Sequence, residues 1–90
     1  MKNLVSLSVI VVIFSGLSAF AEPSCTKEPK DKWQKESDFQ KKLTDEGYKI
    51  KKFKVTKGNC YEIYGWNKEG KKVEIYFDPT NSNKVKENIE

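Results

Sequence analysis

The hydrophobic pattern of the chain separates one continuous apolar run from a longer region in which apolar and polar residues alternate. The run covers residues 4–17, follows Lys2 and precedes Ala19-Phe20-Ala21. A basic start, an apolar stretch and an Ala-x-Ala end are typical of a secretory signal peptide, so we expect cleavage of residues 1–21 after Ala21. The alternative is an uncleaved membrane anchor, but the run is shorter than the roughly 20 apolar residues that a spanning helix needs.

Helical spacing of apolar residues follows a polar arm that begins after the predicted signal peptide. Phe39 and Leu43 are four positions apart and therefore share one face of a helix. Ser37 favours a helix start just before them. Gly47 suits the left-handed position that follows a helix end. The pattern predicts one short helix over residues 35–46.

Alternation with a period of two follows the helix and predicts three strands, over residues 48–56, 60–66 and 71–77. Gly70 ends a three-residue loop, which suits a type I turn followed by a left-handed residue. Asn59 ends a similar loop, because asparagine tolerates the left-handed conformation. Such loops join neighbouring strands as antiparallel hairpins and set their register.

The predicted register places Ile63 opposite Ile75 and gives the sheet one apolar core face. Its members are Phe53, Val55, Tyr61, Ile63, Val73, Ile75 and Phe77. A bulge near Lys51 would bring Ile50 onto the same face, and Val85 can add a brief fourth strand. We therefore predict an α+β fold for residues 22–90, in which one short helix packs on a three- to four-stranded antiparallel sheet.

The two cysteines, Cys25 and Cys60, could stabilise the domain by a cross-link, which matters because a domain this small has a marginal core. Export would place them where disulfides persist, and an even count without a third cysteine leaves one intramolecular pairing. The alternative is a thiol metal site, but the usual four zinc ligands cannot be assembled from two cysteines and no histidine. We expect a disulfide, no metal and no cofactor.

Charge and candidate chemistry argue against catalysis. Without Lys2, the mature chain carries 16 lysines against 13 acidic residues, a net charge of +3 that is interspersed as on a solvated surface. The chain has no histidine, which removes the commonest general base and every Ser-His or Cys-His nucleophile pair. No glycine loop for phosphate and no calcium loop is present. We expect a protein that is not an enzyme.

A candidate binding surface lies on the opposite side of the predicted sheet from the core. The register places three aromatic side chains there, Tyr64, Trp66 and Tyr76, and aromatic residues are enriched at interface hot spots. The alternative is ordinary cross-strand packing, with Lys72 over Trp66 as a cation–π pair and the N-terminal arm over part of the face. Cys60 has the parity of this face, so a disulfide would draw the arm toward it.

These features together resemble the small exported PepSY-domain proteins of bacteria over nearly all of the mature chain. The most specific matches are Gly47-Tyr48 after the helix, the run Cys60-Tyr61-Glu62, and the strand ending in Asp78-Pro79. Many relatives continue with Thr-Gly, where this chain has Thr80-Asn81-Ser82. The resemblance implies a helix on an antiparallel sheet and a role in restraining peptidases. It supplies no catalytic residues.

The sequence therefore predicts a non-catalytic binding domain, periplasmic or secreted, with a peptidase or another envelope protein as its partner. The alternative is a module that senses a small ligand or binds an envelope partner of another kind. We expect no nucleic-acid partner, because export separates the protein from nucleic acid and the charge is modest. We also expect no membrane span once the signal peptide has been removed.

Overall fold

The computed structural model describes residues 22–90, so the predicted signal peptide lies outside the described residues. The elements are a 3-10 turn Lys30–Lys32, helix α1 Glu36–Asp45, and strands β1 Lys49–Val55, β2 Tyr61–Trp66, β3 Lys72–Phe77 and β4 Lys84–Ile89. The strands form one antiparallel sheet in the order β1-β2-β3-β4. Helix α1 packs on one face of this sheet, and the predicted α+β fold is confirmed.

Helix α1 is held to the sheet by Phe39 and Leu43, which are both buried as their spacing predicts. Its end is closed by Gly47, whose φ of 105° is readily accessible only to glycine. The Gly47 amide donates to the Thr44 carbonyl at 3.1 Å, and the Tyr48 amide donates to the Leu43 carbonyl at 3.0 Å. This pair of bonds is a Schellman motif, and it turns the chain directly into β1.

The two hairpins have the predicted register. Ile63 lies opposite Ile75 between β2 and β3, and opposite Phe53 between β1 and β2. The loop residues Asn59 and Gly70 have φ values of 63° and 81°, which are the left-handed conformations that these loop lengths require. Loop chemistry therefore determines which side chains reach each face of the sheet.

The predicted bulge in β1 is confirmed by a register shift between Ile50 and Lys52. Gly65 of β2 lies opposite Ile50, and a Cβ atom at Gly65 would overlap the carbonyl oxygen of Lys49. The absence of a side chain at Gly65 thus allows the two backbones to approach where β1 bends. As a result, Ile50 and Phe53 both pack against the core despite their odd spacing.

Phe39 is the centre of an aromatic cluster between helix and sheet. Its ring centroid lies 5.0 Å from that of Tyr61, 5.1 Å from that of Phe77 and 6.1 Å from that of Phe53. One predicted core residue differs, because Val55 remains 36% exposed. It is the last residue of an edge strand, so no further strand covers its outer side.

The fourth strand, suggested only by Val85, is a full strand of six residues. It pairs with β3 from Val73 opposite Ile89 to Phe77 opposite Lys84. All six residues of β4 are exposed, including the large apolar side chains of Val85 and Ile89. The strand is therefore held mainly by its backbone pairing with β3.

Candidate functional site

The face of the sheet opposite α1, here called the second face, is organised by the hairpin register. From β2 and β3 it carries Glu62, Tyr64, Trp66, Lys72, Glu74 and Tyr76. Tyr64 lies between Lys52 of β1 and Glu74 of β3, and Trp66 lies opposite Lys72. The predicted placement of the three aromatic residues on one face is confirmed.

One half of the second face is covered by the N-terminal arm. Cys25 and Cys60 form a disulfide with 5.1 Å between their Cα atoms. The Cys25 amide also donates to the Gly58 carbonyl at 2.9 Å, and the Asn59 side-chain amide donates to the Thr26 carbonyl at 3.3 Å. The arm is thereby fixed beside the start of β2, where Glu62 lies two residues beyond Cys60.

Tyr76 belongs to this covered half and is only 5% exposed. Its hydroxyl donates to Glu74 Oε2 at 2.9 Å. Burial, followed by this bond to Glu74, raises the pKa of Tyr76 above its ordinary value. The aromatic trio is therefore split, because Tyr76 is buried in the face while Tyr64 and Trp66 remain in the open half.

Glu62 is the unexpected member of the second face, because it is a carboxyl side chain with 0% exposure. Neither of its oxygens has a hydrogen-bond donor, and Lys54 Nζ lies 3.8 Å from Oε1. Both oxygens of the neighbouring Glu74 have hydrogen-bond donors, since Tyr76 donates to Oε2 at 2.9 Å and Asn88 Nδ2 donates to Oε1 at 3.1 Å. A buried carboxylate without a donor is costly, which favours a proton on Glu62.

The electrostatics of the two carboxyl groups differ because their surroundings differ. Burial raises the pKa of Glu62, and its interaction with Glu74 raises it further. Interaction with Glu62 lowers the pKa of Glu74 to about 2, and the hydrogen bonds that Glu74 accepts from Tyr76 and Asn88 act in the same direction. The two pKa values are therefore shifted apart, and Glu62 is the more readily protonated member of the pair. Hydrogen bonding toward Glu74 also raises the pKa of Tyr64.

The open half of the second face is a shallow groove of about 480 Å³. Its floor includes Tyr64, which is 37% exposed, and the half-buried Trp66. Its lysine residues are Lys51, Lys52, Lys54 and Lys72. The suggested cation–π pair of Lys72 and Trp66 is absent from the contacts of residues 22–90, where Lys30 lies over Trp33 and Lys84 lies over Tyr48 instead.

Sequence reasoning identified the aromatic residues of this site but missed the buried carboxyl pair and the lysine rim. Alternation placed Glu62 on the second face, yet its burial depends on the arm that Cys25 ties down. The signal that could have found it is its position two residues after Cys60, on the same side of β2. Lysines are common on solvated strands, so their presence in the sequence did not indicate a site. The β1 lysines could be assigned to the groove only once the position of the bulge in β1 was known.

Two further properties bear on the chemistry available to residues 22–90. No group of three or more histidine, cysteine, aspartate or glutamate side chains lies close enough together there to hold a metal ion. Neither helix in this part of the chain has the length and apolar character needed to cross a bilayer. What the second face does offer is a cationic groove with an aromatic floor.

Comparison with known proteins agrees with the resemblance seen in the sequence. Neither a curated protein nor a solved structure matches the chain significantly. A family model described as the peptidase propeptide and YPEB domain matches residues 5–88. That match includes the helix, the two hairpins and nearly all of β4. The chain therefore belongs to the PepSY_2 family of peptidase propeptide and YPEB domains.

Proposed function

We propose that this protein is an exported, non-catalytic binding domain that restrains a periplasmic or secreted peptidase through the open half of its second face. The observation that carries the proposal is the contrast between the two faces of the same strands. The helix face is closed by Phe39 and Leu43, whereas Tyr64 and Trp66 stay accessible on a rigid sheet. Rigid, accessible aromatic side chains are what protein interfaces use as anchors.

The family supports a peptidase as the partner, because its description names peptidase propeptides. A propeptide has to bind its peptidase and withstand it. The disulfide and the three hydrogen-bonded strand pairs hold most of residues 49–89 in ordered structure, which supports resistance to cleavage there. The disulfide also supports export, since such bonds persist outside the reducing cytoplasm.

Two features support a role in binding rather than catalysis. The chain contains no histidine, and the carboxyl group of Glu62 is shielded from solvent, with 0% exposure. A carboxyl group that substrate cannot reach is better suited to holding the face together than to transferring protons to a ligand.

The direct test is a titration of secreted metallopeptidases with the oxidised protein, residues 22–90. We expect saturable inhibition of at least one enzyme, with the protein recovered intact by mass spectrometry afterwards. Loss of the added protein in step with recovery of enzyme activity would show a competing substrate instead. Absence of inhibition across a broad panel would refute the peptidase proposal.

A small-ligand module is the second candidate, and the groove volume of about 480 Å³ favours it, since ligand sites fall in the range of roughly 300–1,000 Å³. The groove is a shallow part of an open sheet, however, and most small-ligand sites enclose their ligand. A thermal-shift screen distinguishes the candidates, because a bound metabolite raises the melting temperature in the absence of any protein partner.

A further inference from the structure

The lysine residues of the groove are unusually free of partners within the described part of the chain. Lys51, Lys52 and Lys72 form no salt bridge with any residue of 22–90. Lys54 has one acidic neighbour, Glu62, at 3.8 Å. That distance is at the long end of the range for an ion pair, and burial raises the pKa of Glu62, which weakens the pairing further. Four lysines therefore border one aromatic floor, and three of them have no salt-bridge partner within residues 22–90.

Two acidic residues, Glu74 and Glu90, also line the groove, and they offset only part of the positive charge of its four lysines. Glu74 lines the groove, but its two oxygens already accept hydrogen bonds from Tyr76 and Asn88. Glu90 lines the groove near Lys72, whose carbonyl accepts its amide at 2.9 Å. The groove is thus cationic overall, with two fixed negative positions at its β3 and β4 side.

We propose that this groove binds an acidic segment of the protein partner in an extended conformation, with an apolar side chain of that segment seated on Tyr64 and Trp66. The inference rests on the protein-binding part of the proposed function and names the chemistry of the partner. Carboxylates of the segment would lie against Lys51, Lys52 and Lys72. Charge complementarity of this kind gives specificity and fast association.

The dimensions of the groove fit a short peptide. It is lined by residues from all four strands, and three spacings of about 4.8 Å between neighbouring strands give a length of roughly 14 Å. A segment in extended conformation rises about 3.3 Å per residue, so about four residues cross the face. Side chains that alternate in direction let one apolar residue point to the floor between acidic residues that point to the rim.

The mixed charge of the groove favours a peptide over a continuous polyanion. A nucleic-acid backbone or an anionic membrane surface would bring negative charge against Glu74 and Glu90 as well as against the lysines. A peptide carries its carboxylates at separate positions and can leave those two places uncharged. The modest net charge of the mature chain, +3, likewise offers little attraction to an extended anionic surface.

The test uses a labelled seven-residue peptide with capped ends, which has two acidic residues on each side of a central leucine. Fluorescence anisotropy measures its Kd for oxidised protein, beside a peptide with amide side chains in place of the acids. The groove variant is Lys52→Gln with Lys72→Gln. The matched control is Lys42→Gln with Lys57→Gln, which removes the same charge from exposed positions outside the groove.

We expect saturable binding of the acidic peptide and weaker binding of the amide peptide. The Kd of the acidic peptide should rise about three- to tenfold in the groove variant and less than about twofold in the control variant. Added salt should weaken binding of the acidic peptide. Equal binding of both peptides, or equal weakening by both double variants, would overturn the proposal. So would tighter binding of anionic lipid vesicles or of an oligonucleotide than of the acidic peptide.

The same variants separate this proposal from the peptidase proposal. Inhibition of a peptidase that the groove variant leaves unchanged would refute the acidic segment and retain the proposed function. Groove-dependent peptide binding without inhibition of any peptidase would support the acidic segment and count against a peptidase as the partner. Circular dichroism of each variant establishes that its fold is intact.

Discussion

Glu62 carries, at the scale of a single residue, the largest electrostatic cost in the described part of the molecule. This carboxyl group has 0% exposure and no donor, and its burial raises its pKa and so favours its neutral form. Glu74 is in turn supported by Tyr76 and Asn88. The pair thus joins β2, β3 and β4 on the second face, and its protonation should govern how stability responds to pH.

The sign of that response follows from the two shifts. The pKa of Glu62 lies above the ordinary value of 4.5, so its contribution to stability is full below that pH and is lost as the pH rises through the folded-state pKa. The pKa of Glu74 is lowered to about 2, so its contribution is present above pH 4.5 and is lost as the pH falls toward 2. We therefore expect this pair to favour the folded state most near pH 4–5, an approximate window.

Glu62→Gln tests whether the fold favours the neutral form of Glu62. Glutamine has nearly the same shape, offers permanent N–H donors toward Glu74 and cannot lose a proton. The free energy of unfolding in urea should match that of the parent protein near pH 5 and exceed it by about 1 kcal/mol near pH 8. Glu69→Gln, in the exposed β2–β3 loop, is the isosteric control and should leave the pH profile unchanged. A lower stability of Glu62→Gln at both pH values would contradict a neutral Glu62.

At the scale of the elements, the parts of the fold that were predictable are those determined by neighbouring residues. Loop length and the left-handed residues Asn59 and Gly70 specified both hairpins, and the apolar spacing of Phe39 and Leu43 specified α1. The parts that were missed depend on contacts distant in sequence. They are the exposure of Val55, the length of β4 and the burial of Tyr76 and Glu62.

Gly65→Ala tests the close approach of β1 and β2 at the bulge. A methyl group at Gly65 would overlap the backbone oxygen of Lys49, which cannot move without disturbing the strand pair. We expect a loss of about 2–3 kcal/mol in the free energy of unfolding. Gly70→Ala is the comparison, because space is free there and only the φ of 81° is unfavourable, at about 1 kcal/mol. An equal or smaller loss for Gly65→Ala would contradict the backbone constraint.

The arm is tested by replacing Cys25 and Cys60 together with serine. The disulfide closes a loop with a sequence separation of 35 residues, and its removal should cost about 3–4 kcal/mol. The amides next to Glu62 and Tyr76 should also exchange hydrogen faster, since the arm that covers this half of the second face would be released. Unchanged exchange at β2 and β3, measured under conditions where the variant stays folded, would show that the arm does not protect the carboxyl pair.

At the scale of the whole molecule, the two faces of one sheet have different roles. Helix α1 closes one face with an aromatic core, and the disulfide-tied arm closes half of the other. The remaining half combines Tyr64 and Trp66 with Lys51, Lys52 and Lys72, which form no salt bridge within residues 22–90. The proposed function places the partner on this open half, and membership in a family of peptidase propeptide domains supports a peptidase as that partner. The exposed residues of β4 offer a second apolar surface, which serves as an internal comparison.

The measurement that tests the central claim most directly is the inhibition of a secreted metallopeptidase by three oxidised proteins side by side. They are the parent protein, Tyr64→Ser with Trp66→Ser, and Val85→Ser with Ile89→Ser, which removes exposed apolar side chains from β4 instead. We expect the aromatic double variant to raise the inhibition constant at least about tenfold and the β4 variant to leave it within about twofold. The contradictory result is the reverse ranking, in which the β4 variant loses inhibition and the aromatic variant retains it.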